Sequence, residues 1–259
     1  MSQIRLDGKR ALVTGASRRI GIGAAICRAF AKAGADVAFT HWTSYDTALY
    51  GSDPADVRLV LAELRALGVQ ASAFEQDLSL PDAGTALFDR VNAEFGAVDI
   101  LVNNAAYSVN DSWETLTADS VDRHLHTNAR ATALLTVEFA RRHEPTRSGR
   151  VLNFSSGQHL GPMPGELSYA MSKGAIIAFS QSIAPDLARR GITVNVINPG
   201  PTDTGWMTPD LETALLPKFP FGRIGTPEDV AKLAVFLASD EAAWITGQVI
   251  NSEGGFVRD

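Results

Sequence analysis

Short apolar runs of β character alternate with helical stretches along the whole chain, and this alternation constrains the fold more than any other feature. RALVT (10–14) precedes a helical pattern over 23–34 that Gly34 ends. DVAFT (36–40) follows, and Asp53-Pro54 then supplies an N-cap and a first-turn proline for a helix that Gly68 closes. VQASAFE (69–75), a helix near 82–95, VDILV (98–102) and a long helix over 118–143 come next. RVLNF (150–154) leads into the helical AMSKGAIIAFSQSIAPDLARR, and ITVNVIN (192–198), a helix over PEDVAKLAVFLAS and QVINSEGG (248–255) complete the series. Strand–helix–strand order predicts a parallel sheet with helices on both faces. The strands are apolar on both sides, as a covered sheet requires. Right-handed crossovers make it doubly wound. The expectation is a three-layer α/β sheet of about seven strands. No linker, repeat or low-complexity tract interrupts it, so 1–259 is read as one domain. Two long segments lack regular pattern, 41–52 and 199–225, and the second has the glycines and prolines of a substrate lid.

VTGASRRIGIGAAI joins the first strand to the first helix. Gly15, Gly21 and Gly23 allow a tight turn and close approach to a pyrophosphate, and the helix N-terminus offers amide donors and a positive dipole end. In that position the pattern predicts dinucleotide binding rather than a plain turn. An acidic residue closing the second strand would bond a ribose 2′-hydroxyl and favour NAD. Here Thr40 and His41 close it, and Arg18 and Arg19 stand in the glycine loop. A guanidinium can fork onto a 2′-phosphate. NADP(H) is the expected cofactor, with NAD as the runner-up. Asp46 argues for NAD if the 41–52 segment folds back.

Tyr169 and Lys173 are four apart at the start of a helix, so they share a face. Ser156 lies just after the strand run VLNF, with a Gly- and Pro-rich loop between it and Tyr169. An ammonium about 5 Å from a phenolate contributes roughly 3 kcal/mol at an effective dielectric of about 20. That lowers the phenol's pKa by about 2 units, before desolvation is subtracted. Tyr169 can then exchange a proton with a carbonyl oxygen that Ser156 holds in place.

The chain carries 23 Lys and Arg against 29 Asp and Glu, a net charge of −6 that argues against a nucleic-acid partner. No apolar run approaches ~20 residues, so no membrane span is expected. MSQIRLDGKRALVTG has no apolar core ahead of a cleavage site, and Cys27 is the sole cysteine. A cytoplasmic location is the expectation. His124 and His126 face different ways on a helix, so no metal site is expected.

With these residues assembled, the sequence resembles a single-domain short-chain dehydrogenase/reductase, similar to 3-oxoacyl-[acyl-carrier-protein] reductases, over nearly its whole length. The resemblance implies a Rossmann fold. Thr14-Gly15 with Gly21-Ile22-Gly23 resembles the family's glycine signature, and Asn103-Asn104-Ala105-Ala106 its NNAG motif. Asp77 resembles the residue that contacts adenine, and Asn198-Pro199-Gly200 with Thr202 and Thr204 resembles the segment flanking the nicotinamide. Ser17, His41 and Leu78 join the implied cofactor contacts. Asn128 resembles the asparagine that completes a catalytic tetrad with Ser156, Tyr169 and Lys173. The resemblance also implies that Lys173 binds the nicotinamide ribose, that Asn128 helps hold a proton-supplying water chain, and that TGQVINSEGGF packs in a homotetramer.

Two departures stand out. Five residues separate Gly15 from Gly21 where the family has three, and Ala106 replaces the last glycine of NNAG. Three functions follow: an NADPH-dependent reductase of a ketone or 3-oxoacyl thioester, an NAD-dependent dehydrogenase of a sugar, polyol or other secondary alcohol, and a non-catalytic dinucleotide sensor. Arg141, Arg142, Arg147, Arg150, Arg189 and Arg190 gather near two helix ends. They are read either as complements to helix dipoles or as a patch for an acidic acyl carrier protein.

Overall fold

In the computed structural model, which describes residues 4–51 and 53–258, seven parallel strands form a single sheet. They are β1 (Arg10–Val13), β2 (Asp36–His41), β3 (Ala71–Glu75), β4 (Ile100–Asn103), β5 (Gly149–Phe154), β6 (Ile192–Asn198) and β7 (Val249–Asn251). Their order is β3-β2-β1-β4-β5-β6-β7. β1 pairs with β2 on one side and β4 on the other, so Leu12 lies opposite both Ala38 and Leu101. Chain order reverses at this point, and the carboxyl ends of the strands diverge into a crevice there.

Alternation along β1 sends Ala11 and Val13 to one face and Leu12 to the other. Ala11 and Val13 join Phe30, Phe39, Val60 and Leu237 in one apolar cluster. Leu12 joins Phe74, Phe88, Leu101, Phe139 and Leu187 in a second. The first is covered by α1 (Ile22–Lys32) and α9 (Pro227–Ala238), the second by α4 (Ala83–Glu94) and α6 (Ala131–Arg142). Every residue of β5 and β6 is buried, including the polar Arg150, Asn153, Thr193, Asn195 and Asn198, so both faces of these central strands are covered.

Several boundaries differ from the sequence reading. Segment 41–52 contains a helix, α2 (Thr43–Tyr50), which Gly51 ends in the left-handed conformation at φ +59°. A second helix, α3 (Ala55–Ala66), follows, with the Asp53 carboxylate accepting from Ala55 N–H at 2.8 Å. Segment 199–225 contains α8 (Pro209–Leu215), where Pro209 sits in the first turn and Thr208 Oγ1 accepts from Leu211 N–H. The long helix over 118–143 is two α-helical pieces, α5 (Ala118–His124) and α6, joined by a π-helical turn over Leu125–Arg130. β7 is shorter than its sequence run, and residues 252–258 form a tail beyond it. α7 (Leu167–Ala188) carries Tyr169 in its first turn, as expected.

Candidate active site

A cavity of about 460 Å³ opens at the carboxyl ends of β1 to β4. That volume suits a cofactor-sized ligand. Gly15, Gly21 and Ile22 line it on the α1 side. Gly15 has φ +71°, and a Cβ there would lie 2.6 Å from the Cα of Ala105. The turn after β1 therefore lies flush against the 104–106 loop only because Gly15 has no side chain. Asn104 secures the junction, donating to Thr14 O at 3.0 Å and Gly15 O at 2.9 Å. A Cβ on Gly23 would collide with Gly15 O, so Gly23 serves helix–strand packing and does not line the cavity. Among the described residues no side chain caps α1 at Gly21. Its first-turn amides are left for an anion, so the cradle fits a dinucleotide pyrophosphate.

Ser17, Arg18, His41, Asp46, Asp77, Leu78, Ala106 and Thr204 also line the cavity. Arg18 reaches across it to donate to Thr204 O. Asp46 lies near Ser17, Arg18 and His41, and its burial raises the carboxyl's pKa against the pull of those neighbours. Burial likewise pushes His41 below the ordinary imidazole value.

The residues of the second constellation lie beyond the end of β5 and on the helices packed beside it. Lys173 is buried, donates to Phe154 O at 2.9 Å, and places Nζ 5.4 Å from the centroid of the Tyr169 ring. Burial lowers its pKa to about 8. Tyr169 is half-buried, with the buried ring of His124 edge-on at 6.3 Å. The His124 ring is held at both nitrogens: Nδ1–H donates to Ser120 O, and Nε2 accepts from Val109 N–H. Ser156 Oγ contacts Met163 Sδ at 3.9 Å, and His159 Nδ1–H donates to Ser156 O. Asn128 sits in the π-helical turn, its Oδ1 accepting from Tyr107 N–H at 2.7 Å. Its Nδ2 donates to Tyr107 O and Ser172 Oγ, both at 2.9 Å. Ser172 Oγ in turn donates to Tyr169 O, so Asn128 fixes the first turn of α7 through one intermediate.

The sequence matches a family model described as enoyl-(acyl carrier protein) reductase over residues 15–257. It is 50% identical to an uncharacterised oxidoreductase of Bacillus subtilis, YjdA, over 252 residues, covering 96% of this chain and 97% of that one. It is 34% identical to the 3-oxoacyl-[acyl-carrier-protein] reductase FabG of Escherichia coli over 255 residues, covering 97% and 98%. The chain belongs to the short-chain dehydrogenase/reductase family. A solved structure of a Burkholderia cenocepacia short-chain dehydrogenase in complex with NADP superposes with a TM-score of 0.86 at 38% identity, covering 97% of this chain and 98% of that one. The protein is thus an NAD(P)-dependent oxidoreductase of the short-chain dehydrogenase/reductase family, built on a Rossmann-type sheet.

Within this short-chain dehydrogenase/reductase, not every expected residue reaches the cavity. Arg19 turns to α3 instead: its Nε pairs with Glu63 at 2.5 Å and its N–H donates to Asp56. The longer glycine loop makes this turn possible, because Gly21 N–H closes it onto Arg18 O, with Arg19 and Ile20 at the tip. Pro199, Gly200 and Thr202 lie outside the cavity lining; Thr202 is buried and its Oγ1 donates to Pro199 O. Ser156, Asn128, Tyr169 and Lys173 also lie outside that lining, at the end of β5 and beyond. Conversely, Trp42, Tyr45, Tyr107, Arg123 and Thr127 line the cavity and were not singled out from the sequence. Tyr45 accepts from Ser108 N–H at 3.1 Å, which latches α2 to the loop after β4. The signal for Tyr107 was its place directly after the NNAA run.

Proposed function

We propose that the protein is an NADPH-dependent reductase of a ketone or a 3-oxoacyl thioester. The observation that carries this reading is the Lys173 ammonium beside the half-exposed Tyr169 phenol at the end of β5. When bound, a nicotinamide dinucleotide would supply the hydride that the carbonyl carbon takes up. Tyr169 gives its proton to the carbonyl oxygen, and Ser156 Oγ orients that oxygen. With a pKa of about 8, Lys173 is mostly charged at neutral pH and stabilises the phenolate left behind. Lys173 would also hold the nicotinamide ribose. Asn128 holds α7 in place, and its π-helical turn is the site proposed for the proton-supplying water chain. Gly15, Ser17, Arg18, Gly21, Ile22, His41, Asp77, Leu78, Asn104, Ala105, Ala106 and Thr204 would hold the cofactor, with Pro199, Gly200 and Thr202 beside the nicotinamide.

NADP is favoured by Arg18 at the cavity wall and by the NADP-bound Burkholderia relative. A second reading, an NAD-dependent dehydrogenase of a sugar, polyol or other secondary alcohol, has one observation in its favour. Asp46 stands at the same wall, where a carboxylate repels a 2′-phosphate and accepts from a 2′-hydroxyl. A spectrophotometric screen of ketones, 3-oxoacyl thioesters and quinones with NADPH and NADH tests both. Oxidation of NADPH by at least one carbonyl class is expected. Preference for NADH would favour the second reading, and no oxidation of either nucleotide would overturn both.

We read the assembly as a homotetramer, as the family resemblance implies; Trp244, 99% exposed, and Phe221, 79% exposed on the single chain, support an interface between copies. An acyl carrier protein docking on the arginine patch has less in its favour. Arg141, Arg142, Arg147, Arg150 and Arg189 pair with Glu138, Asp89, Asp99, Asp240 and Asp186 within the chain.

A further inference from the structure

Beyond β7 the chain folds back over the proposed catalytic end of the sheet. Ser252 N–H donates to Asn198 O at 2.8 Å, and the tail then turns through Gly254 and Gly255 at φ +60° and +70°. Glu253 packs on Gly200 so closely that a Cβ there would collide with its own Cβ. Its Oε2 accepts from Asn198 Nδ2 at 3.0 Å. Arg258 forks onto the same carboxylate, Nη1 to Oε1 at 2.8 Å and Nη2 to Oε2 at 2.6 Å. Only 9% of the Glu253 side chain and 23% of the Arg258 side chain are exposed.

The guanidinium of Arg258 lies against the loop after Ser156. A Cβ on Gly157 would sit 2.5 Å from Arg258 Nη2, and one on Gly161 3.2 Å from its Cδ. Between the two charged residues, Val257 N–H donates to Lys218 O at 2.9 Å, and the Phe256 ring lies 5.0 Å from Phe219. The ion pair thus links the loop that carries Ser156 to the Asn198–Gly200 segment, while Phe256 and Val257 between its partners hold the 216–219 part of the lid segment.

We propose that Glu253 and Arg258 are positioning residues, a strap that fixes the Ser156 loop against the Asn198–Gly200 segment. A bidentate guanidinium–carboxylate pair sets orientation as well as distance, which a single hydrogen bond does not. A displacement of about 1 Å in a reacting group costs on the order of 100-fold in rate. The strap acts on turnover through Ser156, with the Asn198–Gly200 segment as its anchor, so the inference rests on the role proposed for Ser156 above.

The test uses the full chain with Arg258→Gln, Arg258→Lys, Glu253→Gln and the Glu253→Gln/Arg258→Gln pair. Turnover is measured with NADPH and the most active carbonyl of the panel, alongside NADPH affinity, thermal stability and amide exchange over 156–161. Arg258→Gln is expected to lower kcat about 10-fold and to speed exchange over 156–161 by a similar factor, with NADPH affinity within about 2-fold. Arg258→Lys keeps the charge without the fork and recovers part of the turnover. The double variant is no worse than either single one, because the two residues act as a unit. Wild-type kcat in Arg258→Gln overturns the proposal, whatever happens to thermal stability. So does a parallel loss of NADPH affinity, which marks general loosening. Ser156→Ala separates the two claims: undiminished turnover there sinks the reading of the site. If the wild type turns over no carbonyl, exchange over 156–161 judges the strap alone, and unchanged exchange overturns it.

Discussion

At the residue scale, Lys173 has the sharpest energetic signature. Its folded pKa of about 8 lies below the ordinary lysine value of about 10.4, because burial penalises the ammonium. Between those two values the unfolded chain binds more protons than the folded one, so stability rises with pH there. The cost of burying the charge is fully present below pH 8 and is relieved as the pH rises. Lys173→Met lacks that term. Urea unfolding of both proteins should therefore show the wild type gaining about 2–3 kcal/mol on the variant between pH 7 and pH 10; a pH-independent difference would mean that the ammonium is not buried. Asp46 carries the second prediction. Asp46→Asn removes a carboxylate from the wall that Arg18 shares, so NADP⁺ should bind at least about 10-fold tighter relative to NAD⁺. Thermal protection by each nucleotide measures this, since the tighter ligand raises Tm more. An unchanged ratio would place the 2′-position elsewhere.

At the scale of elements, legibility followed how local the determining signal was. β6 was read to the residue because ITVNVIN is a β-branched run buried throughout. The helix after Pro227 was equally plain. Thr226 and Asp229 form a reciprocal capping box at its start, and Arg223 clamps Asp229 at 2.6 and 2.9 Å, holding its carboxyl well below the usual range. Thr226→Ala should cost about 1 kcal/mol in urea unfolding at neutral pH, with the unfolding slope unchanged. A loss below a few tenths would show that Asp229 and Arg223 alone suffice. α2 escaped because its residues form no apolar stripe and no side chain among the described residues caps it at Trp42. Its latch, Tyr45 to Ser108, is a tertiary contact between residues 63 apart. The π-helical turn at Asn128 left no local trace either, since one sequence pattern serves both helix types. Thr208-Pro209 is a readable helix start within a segment that otherwise lacks regular pattern.

At the scale of the whole molecule, the alternation of strand and helix was enough to predict the sheet, and the strand order placed its crevice beside the glycine loop. The sequence brought the residue types of the site to attention but not which of the two arginines faces the cavity. Arg18 and Arg19 are neighbours in the chain, and only the turn of the longer loop separates their directions. Nor could local pattern show that the last residues of the chain return to the serine loop. The exposed aromatic surface carries its own prediction: light scattering should give the mass of four chains, and a monomer would leave Trp244 and Phe221 unexplained. The proposed reduction depends throughout on Tyr169 delivering a proton under the influence of Lys173. Its most direct test is NADPH oxidation by Tyr169→Phe, measured beside NADPH affinity, with the carbonyl that the wild type reduces fastest. The expected result is a kcat at least ~100-fold lower with affinity nearly intact; turnover close to that of the wild type would contradict it.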